Sequence, residues 1–322
     1  MNIRLLLCGL AALLGAMIAG VLFGSSPVAP GVAISALLHG GDAMEVTLLR
    51  DIRLPRVIMA ANTGAVLAVG GLCFQNVLRN PLAEPYILGV SGGAAVGSIL
   101  GILLGWSAVG GHVAAFVGGL SILVLVLSVS PRQQGEQGLL LAGVMINAFC
   151  GAVILFLIAL AKPQEIGSIM FWFMGNLGGV TLPKALLCAA ILMPGLGCLL
   201  FSSHGMNVLL LGHDAAVTLG LPARQVVCAL LIVTSLMVSG LVAVVGPLGF
   251  VGLVVPQALR LVAGADNRIL VPASMLFGAA FLILCDLAAR TLPPEGELPV
   301  GVITALVGAP VFILLLRRGM RP

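Results

Sequence analysis

Residues Arg53 to Ala95 read RLPRVIMAANTGAVLAVGGLCFQNVLRNPLAEPYILGVSGGAA, and the first half of this stretch decides the fold. Val57 to Val77 carries no charged side chain. At about 1.5 Å rise per residue, some 20 such residues in a helix cover the roughly 30 Å of hydrocarbon in a bilayer. The second half breaks the run at Asn80-Pro81 and Glu84-Pro85, then continues with Gly89 and Gly93.

Working outward, comparable apolar runs lie near 5–24, 86–105, 109–129, 139–160, 185–201, 226–246, 248–263, 270–289 and 299–316. With 57–77 they make about ten spans, read as a single all-α transmembrane domain over residues 1–322. Helices are expected because lipid offers the backbone no partner, and these runs lack the two-residue alternation of barrel strands. The chain is 60% hydrophobic and 8% charged, with mean hydropathy +1.22, where soluble domains are about a quarter charged. Residues 1–24 could be a cleaved signal peptide, but the run is longer than a signal core and no A-x-A site follows, so it reads as the first span.

Gly89, Gly93, Gly97, Gly101 and Gly105 recur every fourth residue and give one helix a smooth stripe that a neighbour can approach closely. Packing within the chain is the preferred reading over a subunit interface. Gly246, Pro247, Gly249, Gly252 and Pro256 suggest a broken or re-entrant helix. With both termini on one side, that side carries Arg4, Arg79, Arg132, Arg224, Arg260, Arg268, Arg317, Arg318 and Arg321. The other has Arg50, Arg53, Arg56, Lys162, Lys184 and Arg290, so both termini are expected in the cytoplasm.

Neither HExxH nor the phosphate-binding GxxxxGK occurs, so the chain is not expected to hydrolyse ATP. Seven cysteines sit singly in apolar runs, and His39, His112, His204 and His213 lack the spacing of a helical metal site. No metal, cofactor or nucleic acid is expected. Asp286 is the clear acid within a span, with Arg290 four residues on. A structural ion pair is preferred over a proton relay, because proton-coupled carriers need several embedded titratable groups. The longest polar stretch between spans, residues 202–225, has Gly212 and Gly220 bracketing a short helix suited to docking.

Several segments together resemble the permease subunits of ATP-binding-cassette importers for iron-siderophore complexes, haem and vitamin B12. They are Arg53 to Ala95, LLLAGV (Leu139 to Val144), LGHDAAVTLGLP (Leu211 to Pro222), GPLGFVGLVVPQALRL (Gly246 to Leu261) and ELPVGVITALVGAPVFILLL (Glu297 to Leu316). The resemblance implies a homodimer in the bacterial inner membrane, with two cytoplasmic ATPase subunits below and an extracytoplasmic substrate-binding protein above. It assigns ATPase coupling to Gly212, His213, Asp214, Ala215, Leu219 and Gly220, and a cytoplasmic gate to Asn80, Leu82, Glu136 and Gln137. Gln257 departs from the family's usual PHxxR, and QQGEQG before Leu139 departs from a Ser/Thr-rich pattern. The resemblance also accounts for the outward arginines, since Arg53, Arg56 and Arg290 would meet acidic residues of the binding protein. The alternative for them is contact with lipid headgroups or with Asp51, Glu295 or Glu297.

The resulting expectation is alternating-access import of such a chelate, powered by the partner ATPase. An ion-coupled secondary transporter is the competing reading and would need more embedded charge.

Overall fold

A computed structural model describes residues 3–25, 31, 44–129, 135–293 and 296–319, and every element among them is helical. His39, Arg132, Glu295 and Arg321 lie outside these residues. The membrane-scale helices are α1 (Ile3–Leu22), α2 (Leu54–Val77), α3 (Val90–Leu103), α4 (Ala108–Val129) and α5 (Gly135–Leu160), then, after α6 (Pro163–Phe173), α7 (Leu182–Phe201). Two short helices follow, α8 (Ser203–Leu210) and α9 (His213–Thr218). The chain closes with α10 (Ala223–Val245), α11 (Val251–Ala263), α12 (Asn267–Thr291) and α13 (Val300–Gly319). A helical lead-in, Met44–Thr47 then the π-helical Leu48–Arg53, runs directly into α2.

Each expected span has its helix. Seven helical segments are long and apolar enough to cross a membrane, while α3, α11 and α13 are shorter. The apolar window of Met44–Val77 is 83% buried against the rest of the chain, but those of α1, α4, α5 and α7 only 22%, which makes α2 the centre and the others the periphery. Peripheral faces remain apolar: Leu141, Met145, Phe149 and Phe156 of α5 and Ile191 and Met193 of α7 are exposed, as lipid contact requires.

Glycine decides which helices touch. α2 runs antiparallel to α12, and at their crossing a Cβ on Gly64 would stand 2.1 Å from the Gly278 carbonyl oxygen. The stripe on α3 faces α4 within the chain, since a Cβ on Gly93 or Gly97 would lie 2.4 Å or 2.1 Å from the carbonyls of Gly118 and Ala114. Its two end members differ: Gly89 and Gly105 have φ of 76° and 67° and serve as turns.

The Pro/Gly segment is a break, because α10 stops at Val245 and α11 starts at Val251. Phe250 holds a left-handed φ of 71°, unusual for a side chain of its size. The chain after α2 also folds back along it, placing Pro85 against Gly70. One phenol joins the two irregular segments: the Tyr86 hydroxyl donates to the Leu248 carbonyl (3.1 Å) and accepts from the Leu248 amide (3.0 Å). Backbone groups freed by the break thus regain partners inside the protein, as membrane depth demands.

Candidate functional site

Polar chemistry concentrates at the two ends of the α2–α12 pair, called here the Arg56 end and the Asn76 end. At the Arg56 end, Asp286 is buried and is approached by two arginines. Arg56 Nε donates to its Oδ1 at 2.8 Å, and Arg290 Nε lies 3.0 Å from its Oδ2 as an ion pair. Arg56 also donates through a terminal nitrogen to the half-exposed Glu297. The expected Asp286–Arg290 pair is present; Arg56, 230 residues away, is a third member that the sequence did not reveal.

The expected docking residues Arg53, Arg56 and Arg290 all make hydrogen bonds within the chain. They are 3%, 5% and 2% exposed, so they present no cationic face in this chain. Their work is internal. The last carbonyls of any helix lack partners. In α1 Ala19 receives the Phe23 amide, Gly20 receives Arg290 (3.1 Å), and Val21 and Leu22 receive Arg53 (3.1 and 2.7 Å). Cations at a helix C-terminus are also favoured by its dipole. Counting positive charges by side cannot distinguish an exposed arginine from one that caps a neighbouring helix.

Beside this end lies a cavity of about 540 Å³ between α3, α4, α6 and α10. Trp106, Phe171 and Trp172 give it aromatic walls, and Ser98, His112 and Asn176 give it polar points. His112 is 2.9 Å from the Lys184 ammonium.

At the Asn76 end the polar groups are mainly amides. Asn76 donates to Asn267 Oδ1 at 2.7 Å and accepts from Arg260 at 2.7 Å. Asn267 donates both its backbone N–H and its side-chain Nδ2 to Asn207 Oδ1, each at 2.8 Å. Asn207 in turn donates to Asp266 Oδ1 at 2.7 Å, and that oxygen also accepts the Arg268 amide as the N-cap of α12. The Asn207 hydrogen bond, followed by that from Arg268 N–H, holds the exposed Asp266 carboxyl below its usual range. No sequence motif flagged this cluster; unpaired Asn residues at the ends of apolar spans were the available signal.

The expected coupling residues lie next to it. Gly212 and Gly220 flank α9 with φ of 106° and 82°, backbone conformations that favour glycine. Ala216 is buried, whereas Leu211, Val217 and Leu219 are exposed, leaving an apolar outer face on this short helix. Asp214 is exposed and Ala215 partly so. The side chains of His213, Glu136 and Arg318 lie outside the described residues.

Of the expected gate residues, Asn80 organises its own turn by accepting the Leu82 amide at 2.9 Å. Leu82 and Gln137 are exposed. Gln257 donates to the Pro81 carbonyl at 3.1 Å, so the residue that replaces the usual histidine still ties α11 to this turn, with a group that does not titrate.

A model of the FecCD transport family matches residues 12–318. The chain is 39% identical to the hemin transport system permease protein HmuU of Yersinia pestis, over 83% of this chain and 82% of that one. It is 39% identical to the vitamin B12 import system permease protein BtuC of Escherichia coli O9:H4, over 99% and 97% respectively. A solved structure described as an inward-facing conformation of a metal-chelate type ABC transporter superposes with a TM-score of 0.89 at 29% identity, covering 98% of this chain and 99% of that one.

Proposed function

The chain belongs to the FecCD transport family, and on that premise we propose that it imports a haem-, cobalamin- or siderophore-type chelate by alternating access. The observation that carries this reading is end-to-end similarity, by sequence and by shape, to permeases named for such cargo. In this reading two copies of the chain enclose the pathway in a bacterial inner membrane. Two cytoplasmic ATPase subunits supply the energy, and an extracytoplasmic binding protein delivers the chelate. The Asn76 end faces the cytoplasm together with both termini.

Coupling to the ATPase falls on the loop at 202–225, through Gly212, His213, Asp214, Ala215, Leu219 and Gly220. The exposed Leu211, Val217 and Leu219 suit burial against a partner. Asn80, Leu82, Glu136 and Gln137 form the cytoplasmic gate. Asp286 gives the ion-coupled reading no support, because two arginines neutralise this buried carboxylate.

Reconstitution tests the proposal. The chain, the ATPase subunit and the binding protein encoded with it are placed in proteoliposomes, and uptake of haem and of cobalamin is followed with and without ATP. Uptake that needs ATP and survives an uncoupler is expected. Uptake that collapses with the ion gradient while ATP persists would establish the secondary carrier instead.

A further inference from the structure

The amide cluster joins the loop at 202–225 to the transmembrane core by hydrogen bonds centred on the Asn207 side chain. Asn207 sits on α8, Asn267 opens α12, Asn76 ends α2 and Arg260 ends α11. Asn76 and Asn267 are fully buried, and each fills both its donor and its acceptor role. A polar group placed there without partners would be costly, so the cluster holds one arrangement of four helices.

From this point the connection continues inward. Gln75, the neighbour of Asn76, donates to the Gly252 carbonyl at 3.0 Å in the first turn of α11, directly after the break. A Cβ on Gly71 would lie 2.0 Å from the same oxygen, so α2 and the start of α11 are in backbone contact. The break itself is pinned to the fold-back segment by Tyr86 and Leu248. Hydrogen bonds, with one step along the backbone from Asn76 to Gln75, therefore link α8 to Gly252, two residues beyond the irregular segment at 246–250. On the outer side α9 hangs between the two positive-φ glycines, Gly212 and Gly220.

We propose that Asn207, Asn267 and Asn76 are positioning residues for transport, a clasp that carries movement of the coupling loop into α2, α12 and the broken segment. The inference rests on the permease reading above. Amides suit this role because each offers a donor and an acceptor at fixed geometry and neither changes charge with pH. The glycine hinges let α9 follow a partner, while the clasp makes α8 move with the helices it is tied to.

The test uses a role exchange in the assembled permease–ATPase complex. Asn207→Asp keeps the acceptor for Asn267 but sets a second carboxylate against Asp266, where an amide donor stood. Chelate transported per ATP hydrolysed is expected to fall about fivefold or more at neutral pH, the scale of a broken coupling. Adding Asp266→Asn restores a donor–acceptor pair with the roles reversed, because asparagine also serves as an N-cap. The double variant should recover to within about twofold of wild type. Acidification to about pH 5.5 should partly restore the single variant relative to wild type at that pH, since paired carboxylates share a proton.

Unchanged transport per ATP in Asn207→Asp would overturn the inference. So would an equal loss in the single and double variants, which would mark a general packing defect. Absence of ATP-driven uptake by the wild-type complex would overturn the permease reading, and this inference with it. ATP-driven wild-type uptake with an indifferent single variant would remove only the clasp.

Discussion

The two ends of the α2–α12 pair are secured by different chemistry. The Arg56 end holds a buried carboxylate between two guanidiniums and directs further cationic donors to the end of α1. The Asn76 end holds amide to amide, with Arg260 donating to Asn76 and Asp266 accepting from Asn207. Removing one partner of a buried ion pair costs about 3–5 kcal/mol, because a charge is left stranded. A neutral hydrogen bond contributes about 0.5–1.5 kcal/mol net, and its geometry is specific. The difference teaches that one helix pair can be secured at its two ends by interactions of unequal strength, a buried charge cluster at one and geometrically specific amide hydrogen bonds at the other.

The sharpest way to break this contrast is Asp286→Ala. It leaves Arg56 with Glu297 alone and Arg290 with the Gly20 carbonyl, and a loss of about 3–5 kcal/mol is expected in thermal unfolding of the purified protein. A fall of less than about 1 kcal/mol would mean that the Arg56 end is no stronger than a surface pair. Asn267→Ala probes the other end, removing partners from Asn76 and Asn207 at once. Its cost should be about 1–3 kcal/mol, with Tm falling less than for Asp286→Ala. Between the ends, Tyr86→Phe removes both hydrogen bonds to Leu248 and should cost about 1–2 kcal/mol, read from the same melts.

The smallest effect is a pH dependence. Because the folded state holds the Asp266 carboxyl below its ordinary value of 3.8, its contribution to stability is present above that value and is lost as pH falls through the lower folded one. A small decline in Tm below about pH 4 should therefore be weaker in Asp266→Asn than in wild type. An identical decline would assign it to other acids.

Much of this architecture was legible along the chain. Uninterrupted apolar length marked the helices, since the cost of bare backbone in lipid leaves few alternatives. The glycine stripe on α3, the break after Val245 and the Asp286–Arg290 pair each express a local rule, a spacing of four or a loss of backbone partners. Long-range partners were not legible. Arg56 meets Asp286 across 230 positions, and Asn76 meets Asn267 across 191. Nothing in the spacing of one helix says which neighbour it will face. The arginines near α1 show the limit most clearly, because their grouping at one end of the spans could be read but their inward direction could not.

The phenol that joins the fold-back segment to the break has one more consequence. Tyr86 is the only tyrosine in the 322 residues. A fluorinated tyrosine supplied during growth would therefore enter the protein at a single place, the junction of its two irregular segments. Its fluorine resonance would report on that junction alone, without any engineered label. Each rearrangement of the break during a transport cycle would register as a change in one NMR line.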